Sequence, residues 1–170
     1  MGLHIVPTQN LLALSRADEN ARENITVFSL CDLVNDATNA FLEPMSKSEL
    51  SLASFVDSGV EIKADKDATF RVLSILLDNT CRYAKKGSTV EIKLCGKVFS
   101  IANECEKLPD CPPEKLFDRF YRIDKYKAKK TGTGLGLAIV KESINLCNGN
   151  ISASNRMEGG LEFIFMLPIA

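Results

Sequence analysis

The chain carries one stretch whose chemistry would come from the backbone itself, Gly132-Thr133-Gly134-Leu135-Gly136-Leu137-Ala138-Ile139-Val140. Glycines at 132, 134 and 136 let the main chain approach a ligand closely and adopt angles closed to other residues. The apolar residues after them read as the start of a helix, so the glycines fall at a helix N-terminus. That end offers unpaired N–H groups and the positive pole of the helix dipole, a combination that suits phosphate. The stretch lacks the Gly-Lys-Ser/Thr ending of a P-loop, and no strand runs directly into it as a dinucleotide-binding turn requires. Alone, it is equally a flexible turn into a buried helix.

A second group lies upstream, in Leu76-Leu77-Asp78-Asn79-Thr80-Cys81-Arg82-Tyr83. Asp78 and Asn79 interrupt an apolar run, and Asn79 and Arg82, three apart, share one face of a helix. An amide carbonyl can coordinate Mg²⁺ and a guanidinium can meet phosphate oxygens. The same residues also suit the wet side of an amphipathic helix.

The elements that must position these groups are legible in the periodicity. Residues 8 to 22 read as a helix with Leu11, Leu12 and Leu14 on one side, too short to be secure alone. Ile25 to Phe28 is β-rich, and Ser29 with Asp32 resembles a capping box for a helix bearing Leu30, Leu33, Val34, Ala37, Ala40 and Phe41. Pro44 is expected to end that helix. Leu50 to Phe55 and Val60 to Lys63 read as strands. Asp65 or Asp67 caps a long helix to about Tyr83, with Val72, Leu73, Leu76, Leu77 and Cys81 as its buried stripe. Thr89 to Leu94 and Val98 to Ala102 form a hairpin through Gly96-Lys97. Pro112-Pro113 opens a short helix from Glu114 to Arg122. The lysine-rich segment Ile123 to Thr131 leads to the glycines, and their helix runs to Leu146 and ends at Asn148-Gly149. Ile151 to Asn155 and Leu161 to Leu167 close the chain as a hairpin. The pattern is α+β: a mixed, mostly antiparallel sheet with helices over one face.

Composition narrows the classes. With 170 residues, 45% of them hydrophobic, the chain is long enough for a real core. A net charge of −1 argues against nucleic acid as a partner. There is no run of 18 apolar residues, so this segment holds no membrane-spanning helix, and its first residues do not form a signal peptide. The six cysteines form no C-x-x-C pair and read as reduced, mostly buried thiols of a cytosolic domain; His4 is remote from all of them, which argues against zinc.

Taken together, the motifs resemble those of a known family. Leu76 to Tyr83 resembles the N box of the sensor histidine kinases, Leu116-Phe117-Asp118-Arg119-Phe120-Tyr121-Arg122 their F box, and Gly132 to Val140 their second glycine box. All three stand in the family's order and approximate spacing, and the similarity runs from about Leu11 to Pro168. The resemblance implies the two-layer α/β sandwich shared with gyrase, the Hsp90 chaperone and MutL, with ATP and Mg²⁺ as ligands. By it, Asn79 would hold the Mg²⁺ and, with Arg82, form the catalytic pair beside the phosphates. Tyr83 would lie against the adenine. Asn103 would accept from the adenine amino group, with Leu108 also at the nucleotide. Gly132, Thr133, Gly134, Leu135, Gly136 and Leu137 would form the phosphate turn, with Lys130 from the preceding segment. Phe117, Phe120 and Arg122 would anchor a lid made of Ile123 to Thr131, whose lysines suit a triphosphate.

Two departures from the family pattern stand out. Ile75 occupies the place of a further Asn one turn before Asn79. The first glycine box is eroded to Asn103-Glu104-Cys105-Glu106-Lys107-Leu108-Pro109, with Asn in place of Asp and with Cys105 and Lys107 in place of glycines. Both changes predict weaker nucleotide binding. The resemblance implies residues 1–24 as the remnant of a dimerisation or linker helix and 25–170 as the ATP-binding domain. The partners it implies are a histidine-bearing dimerisation domain, to which the γ-phosphoryl group passes, and a response regulator. The segment would be a cytoplasmic part of a membrane-bound bacterial sensor, with no membrane contact of its own. His4 is followed by no acidic residue, so the segment is not expected to phosphorylate itself. Ile75 and the eroded box favour a different class, a nucleotide-impaired module acting by protein contact; an anti-sigma-factor serine kinase would share the same site.

Overall fold

A computed structural model of the chain describes residues 24–105, 111–121 and 134–170. The expected helix over residues 8 to 22 and the lid from Ile123 to Thr131 lie outside the described residues.

Strand β1 (Ile25–Ser29) runs directly into helix α1 (Leu30–Ala40), and the Ser29 hydroxyl accepts from the Asp32 amide at 3.2 Å. Pro44 does not end this helix. α1 stops at Ala40, and a second short helix, α2 (Leu42–Lys47), holds Pro44 in its first turn, where the missing amide costs nothing. Strands β2 (Ser51–Val56) and β3 (Glu61–Asp65) follow, and Asp65 caps the long helix α3 (Lys66–Tyr83) by accepting from the Ala68 amide at 3.0 Å. Strands β4 (Thr89–Cys95) and β5 (Val98–Glu104) form the expected hairpin, with Gly96 at φ +56 in its turn. Helix α4 (Gly136–Leu146) precedes the closing hairpin of β6 (Asn150–Arg156) and β7 (Gly160–Met166).

The main sheet has the order β2-β4-β5-β7-β6, with β2 and β4 parallel and every other pair antiparallel. β1 and β3 form a separate antiparallel ribbon, tied to the chain end where the Lys63 amide donates to the Pro168 carbonyl at 3.2 Å. Alternate strand residues are buried: Val90, Ile92 and Leu94 on β4, Phe99, Ile101 and Asn103 on β5, Leu161, Phe163 and Phe165 on β7. Phe99 and Phe165 stack with centroids 4.8 Å apart. Burying each such ring contributes about 1.5–3 kcal/mol. α1, α3 and α4 contribute the facing apolar layer with residues such as Leu30, Leu33, Leu73, Leu76, Leu77 and Ile144. The other sheet face stays open, with Phe55 62% exposed on edge strand β2.

Three expectations are corrected. The sheet-facing stripe of α3 ends in Thr80, which is 1% exposed, while Cys81 is only half-buried. Of the six cysteines, Cys147 alone is buried, where loss of solvent raises its thiol pKa, and Cys95 is exposed; none forms a disulfide. The helix expected from Glu114 to Arg122 is a 3₁₀ turn over Pro113–Phe117. It ends early because Asp118 is extended and Phe120 takes φ +64, which bends the chain back toward Gly134.

Candidate functional site

The site is built where α3 meets α4. Gly136 opens α4, and a Cβ there would lie 3.2 Å from Cγ2 of Ile75 on α3. The glycine gives this close approach room, and its backbone angle is an ordinary one. Ile75 also packs against buried Leu135 and Ile139, so the position that lacks an amide has become the apolar contact joining the two helices. Asn79 follows one turn along the same side of α3. It is half-buried, and its side chain makes no hydrogen bond to a described residue. The amide is thus available to a ligand at the mouth of the helix pair.

Arg82 lies one turn further, where its Nε donates to Oδ2 of Asp78 at 2.8 Å. Both side chains are substantially exposed, so the pair adds little stability but aims the guanidinium along the helix surface. Tyr83 is the last residue of α3. Beyond it, Lys85 donates its amide to the Glu104 carbonyl at 2.9 Å, and Ala84 bridges Cys105. These contacts join the end of α3 to the end of β5. Asn103 on β5 is 3% exposed, with Nδ2 donating to the Glu104 carbonyl at 3.0 Å and to Sγ of Cys105 at 3.3 Å. With the amino side spent on the protein, Oδ1 is left as a pure acceptor. Near Asn79, Cys81 has its thiol pKa raised by burial and, secondarily, by the Asp78 charge.

The opposite wall is the turn into α4. Gly134 takes φ +71, and a Cβ on it would lie 2.7 Å from Cα of Phe120. The Phe120 amide donates to the Gly134 carbonyl at 2.9 Å. α4 begins just after, with no acidic residue in its first turn to offset the positive pole. Phe117 anchors the other end of this wall: it is 5% exposed, meets Phe163 edge-on at 6.0 Å, and carries the Lys141 ammonium 5.8 Å above its ring. Phe120 is 56% exposed, and its contact with Gly134 is made by backbone atoms. Cys111 and the Tyr121 hydroxyl lie 2.9 Å apart at the same base.

The structure sets Leu135 and Gly136 against Ile75, one turn before Asn79 on α3. It joins the end of α3, with Arg82 and Tyr83, to the end of β5, where Asn103 lies; Gly134 and Leu137 flank the start of α4. Leu108, Arg122, Lys130, Gly132 and Thr133 lie outside the described residues. Among the described residues no group of three or more His, Cys, Asp or Glu side chains could hold a metal. A divalent ion here would depend on ligand oxygens and water with one amide carbonyl, a set that suits Mg²⁺ bound to phosphates. Thr80, missed from the sequence, belongs to the same end of the layer; its spacing from Leu73, Leu76 and Leu77 was the available signal.

The comparisons with known proteins agree with this geometry. The family described as histidine kinase-, DNA gyrase B-, and HSP90-like ATPase matches residues 64–170. The sensor histidine kinase RppB of Synechocystis is 31% identical over 167 residues, covering 94% of this chain and 37% of that protein. The sensor histidine kinase WalK of Bacillus subtilis is 30% identical over 170 residues, covering 94% of this chain and 27% of that protein. The chain thus spans well under half the length of these relatives. Among solved structures, the catalytic domain of histidine kinase ThkA superposes with a TM-score of 0.71 at 26% identity, covering 85% of this chain and 95% of that one. With its fold, its paired helices and this match over most of its length, the chain belongs to the histidine kinase-, DNA gyrase B- and HSP90-like ATPase family.

Proposed function

We propose that this chain is the ATP-binding catalytic domain of a sensor histidine kinase, and that it presents Mg-ATP to a histidine on a dimerisation domain of its parent protein. The observation that carries this reading is the juxtaposition of α3 and α4 at Ile75 and Gly136, with the uncommitted Asn79 amide one turn beyond. In this reading the Asn79 carbonyl oxygen would hold Mg²⁺ from the protein side, and the ion, when bound with ATP, would supply charge neutralisation for phosphoryl transfer. Arg82, kept on the helix surface by Asp78, faces the same phosphates. The turn at Gly134 and the start of α4 cradle them with backbone amides and the helix dipole. Asn103 accepts from the adenine amino group through Oδ1, and Tyr83 lies along the base. Leu108, Lys130, Gly132, Thr133 and Arg122 are assigned to the same site by resemblance, as is the lid between them.

Transfer of this kind rests on positioning and charge neutralisation, so the domain needs its acceptor delivered on another element. The similarity to RppB and WalK supports a histidine acceptor and, after it, a response regulator; it also supports a place inside the cell as part of a membrane-bound sensor. The test is incubation with γ-labelled ATP, Mg²⁺ and the histidine-bearing dimerisation domain supplied separately. The expected result is acid-labile phosphate on that domain and none on this chain. Label on this chain alone would contradict the assignment of the acceptor to a separate domain. The absence of both binding and transfer would contradict the kinase assignment and favour a nucleotide-impaired module acting by protein contact.

A further inference from the structure

Thr80 is an anomaly on α3. It is 1% exposed, and its Oγ1 is a buried side-chain polar atom with no hydrogen-bond partner among the described residues. Three other helical hydroxyls satisfy themselves locally. Thr38 donates to the Val34 carbonyl at 2.7 Å, Thr69 to that of Asp65 at 2.8 Å, and Ser74 to that of Phe70 at 2.9 Å. Thr80 does not return its hydroxyl to its own helix, so the group projects toward what α3 packs against. A buried hydroxyl left without a partner is costly, and its persistence needs a reason.

Its position supplies one. Thr80 ends the sheet-facing stripe of α3 formed by Thr69, Val72, Leu73, Leu76 and Leu77. Asn103 ends the inward row of β5 after Phe99 and Ile101. The two ends are joined by the Lys85–Glu104 hydrogen bond at 2.9 Å and by the Ala84–Cys105 bridge. Two otherwise apolar rows thus finish in polar atoms at the same edge of the layer. Asn103 contributes only an acceptor there, because its Nδ2 is committed to Glu104 and Cys105. Thr80 contributes the group that can donate.

We infer that Thr80 is a base-binding residue, its hydroxyl donating to a ring nitrogen of adenine, directly or through one water that enters with the nucleotide, beside the adenine amino group that donates to Asn103. The inference rests on the nucleotide-site reading above and adds to it the donor that Asn103 lacks. An adenine edge offers a ring acceptor next to an amino donor, which is the complement of this pair. A guanine edge places a carbonyl against Asn103 Oδ1 and is disfavoured there, whereas the hydroxyl can turn to accept from the guanine ring N–H, so discrimination between the two bases rests on Asn103.

The test is calorimetric titration of Mg-ATP and Mg-GTP into the wild-type chain, Thr80→Val and Thr80→Ser, with the melting temperature of each free protein. The expected result is about tenfold weaker ATP binding by Thr80→Val, the scale of one lost hydrogen bond, with the preference for ATP over GTP retained because it rests on Asn103. Thr80→Ser should bind within about twofold of wild type. The free Thr80→Val protein should melt no lower than wild type, since the orphaned hydroxyl is gone. If Thr80→Val does not fold, Thr80→Ala carries the same expectation for ATP. Wild-type binding with an unchanged Thr80→Val affinity would overturn this inference alone. No binding of either nucleotide by the wild-type chain would overturn both it and the nucleotide-site reading.

Discussion

The Phe120 amide meets the Gly134 carbonyl at 2.9 Å, and the two backbones are so close that a methyl group on Gly134 would lie 2.7 Å from Phe120 Cα. Both residues have positive φ, +64 at Phe120 and +71 at Gly134. This contact holds Phe120 beside the start of α4. Gly134→Ala would impose left-handed strain of roughly 1–2 kcal/mol and a backbone clash besides. It should part the two backbones and weaken ATP binding at least tenfold by titration calorimetry. The core should remain folded, because circular dichroism reads elements that the contact does not hold.

Ile75 sits where α3 and α4 come closest, against Gly136, Leu135 and Ile139. Ile75→Ala should cost about 2 kcal/mol in urea unfolding, the low end for such truncations because the side chain is half-buried. Ile75→Asn should be destabilising by a similar amount or more, since the amide would enter an apolar contact between the helices.

Asn103 shows why an aspartate is not a simple improvement at this position. Its Nδ2 donates to the Glu104 carbonyl, and a carboxylate would face that carbonyl with no proton to give. Asn103→Asp should lose about 1–3 kcal/mol of stability in the free protein, read by chemical denaturation. A saturating amount of ATP should restore part of that loss, because a charged acceptor binds the adenine amino group more strongly.

On the open face of the sheet, Arg156 of β6 reaches across β7 and β5 to Glu91 of β4 at 3.4 Å, and Lys93 approaches the same carboxylate at 3.4 Å. Desolvation alone would raise the Glu91 pKa, but the Lys93 hydrogen bond and the Arg156 and Lys93 charges outweigh it and hold it below the ordinary value. A carboxyl group with a lowered folded pKa stabilises above its unfolded pKa, and that contribution fades as pH falls through the folded pKa. Melting temperature should therefore fall less steeply on acidification in Glu91→Gln than in wild type. The difference should be small, because the site is partly exposed and screened.

Much of this architecture was legible in the residues. The β4–β5 and β6–β7 hairpins follow from strict alternation around Gly96 and Gly159, and α3 from its Asp65 cap and apolar stripe. The parallel pairing of β2 with β4 was not legible, since non-local pairing leaves no mark on local periodicity. Pro44 misled because a proline signals a stop and a first turn equally well. Phe120 hid its role because positive φ is not expected of a bulky residue, and only its contact with Gly134 accounts for it. At the candidate site, type and spacing are what single out Gly134, Gly136 and Asn79. What replaced the absent amide at Ile75 was not, because it depends on which residue of α4 the helix meets.

The account stands on Asn79 presenting its amide to a magnesium-bound triphosphate between α3 and α4. The most direct test is the thermal shift produced by a nonhydrolysable ATP analogue, with Mg²⁺ and with EDTA, in wild type and Asn79→Ala. At about 100 times its dissociation constant the analogue should add roughly 2.7 kcal/mol to wild type. That gain should need Mg²⁺ and should largely vanish in Asn79→Ala. A shift of the same size in both proteins, or one indifferent to EDTA, would contradict it.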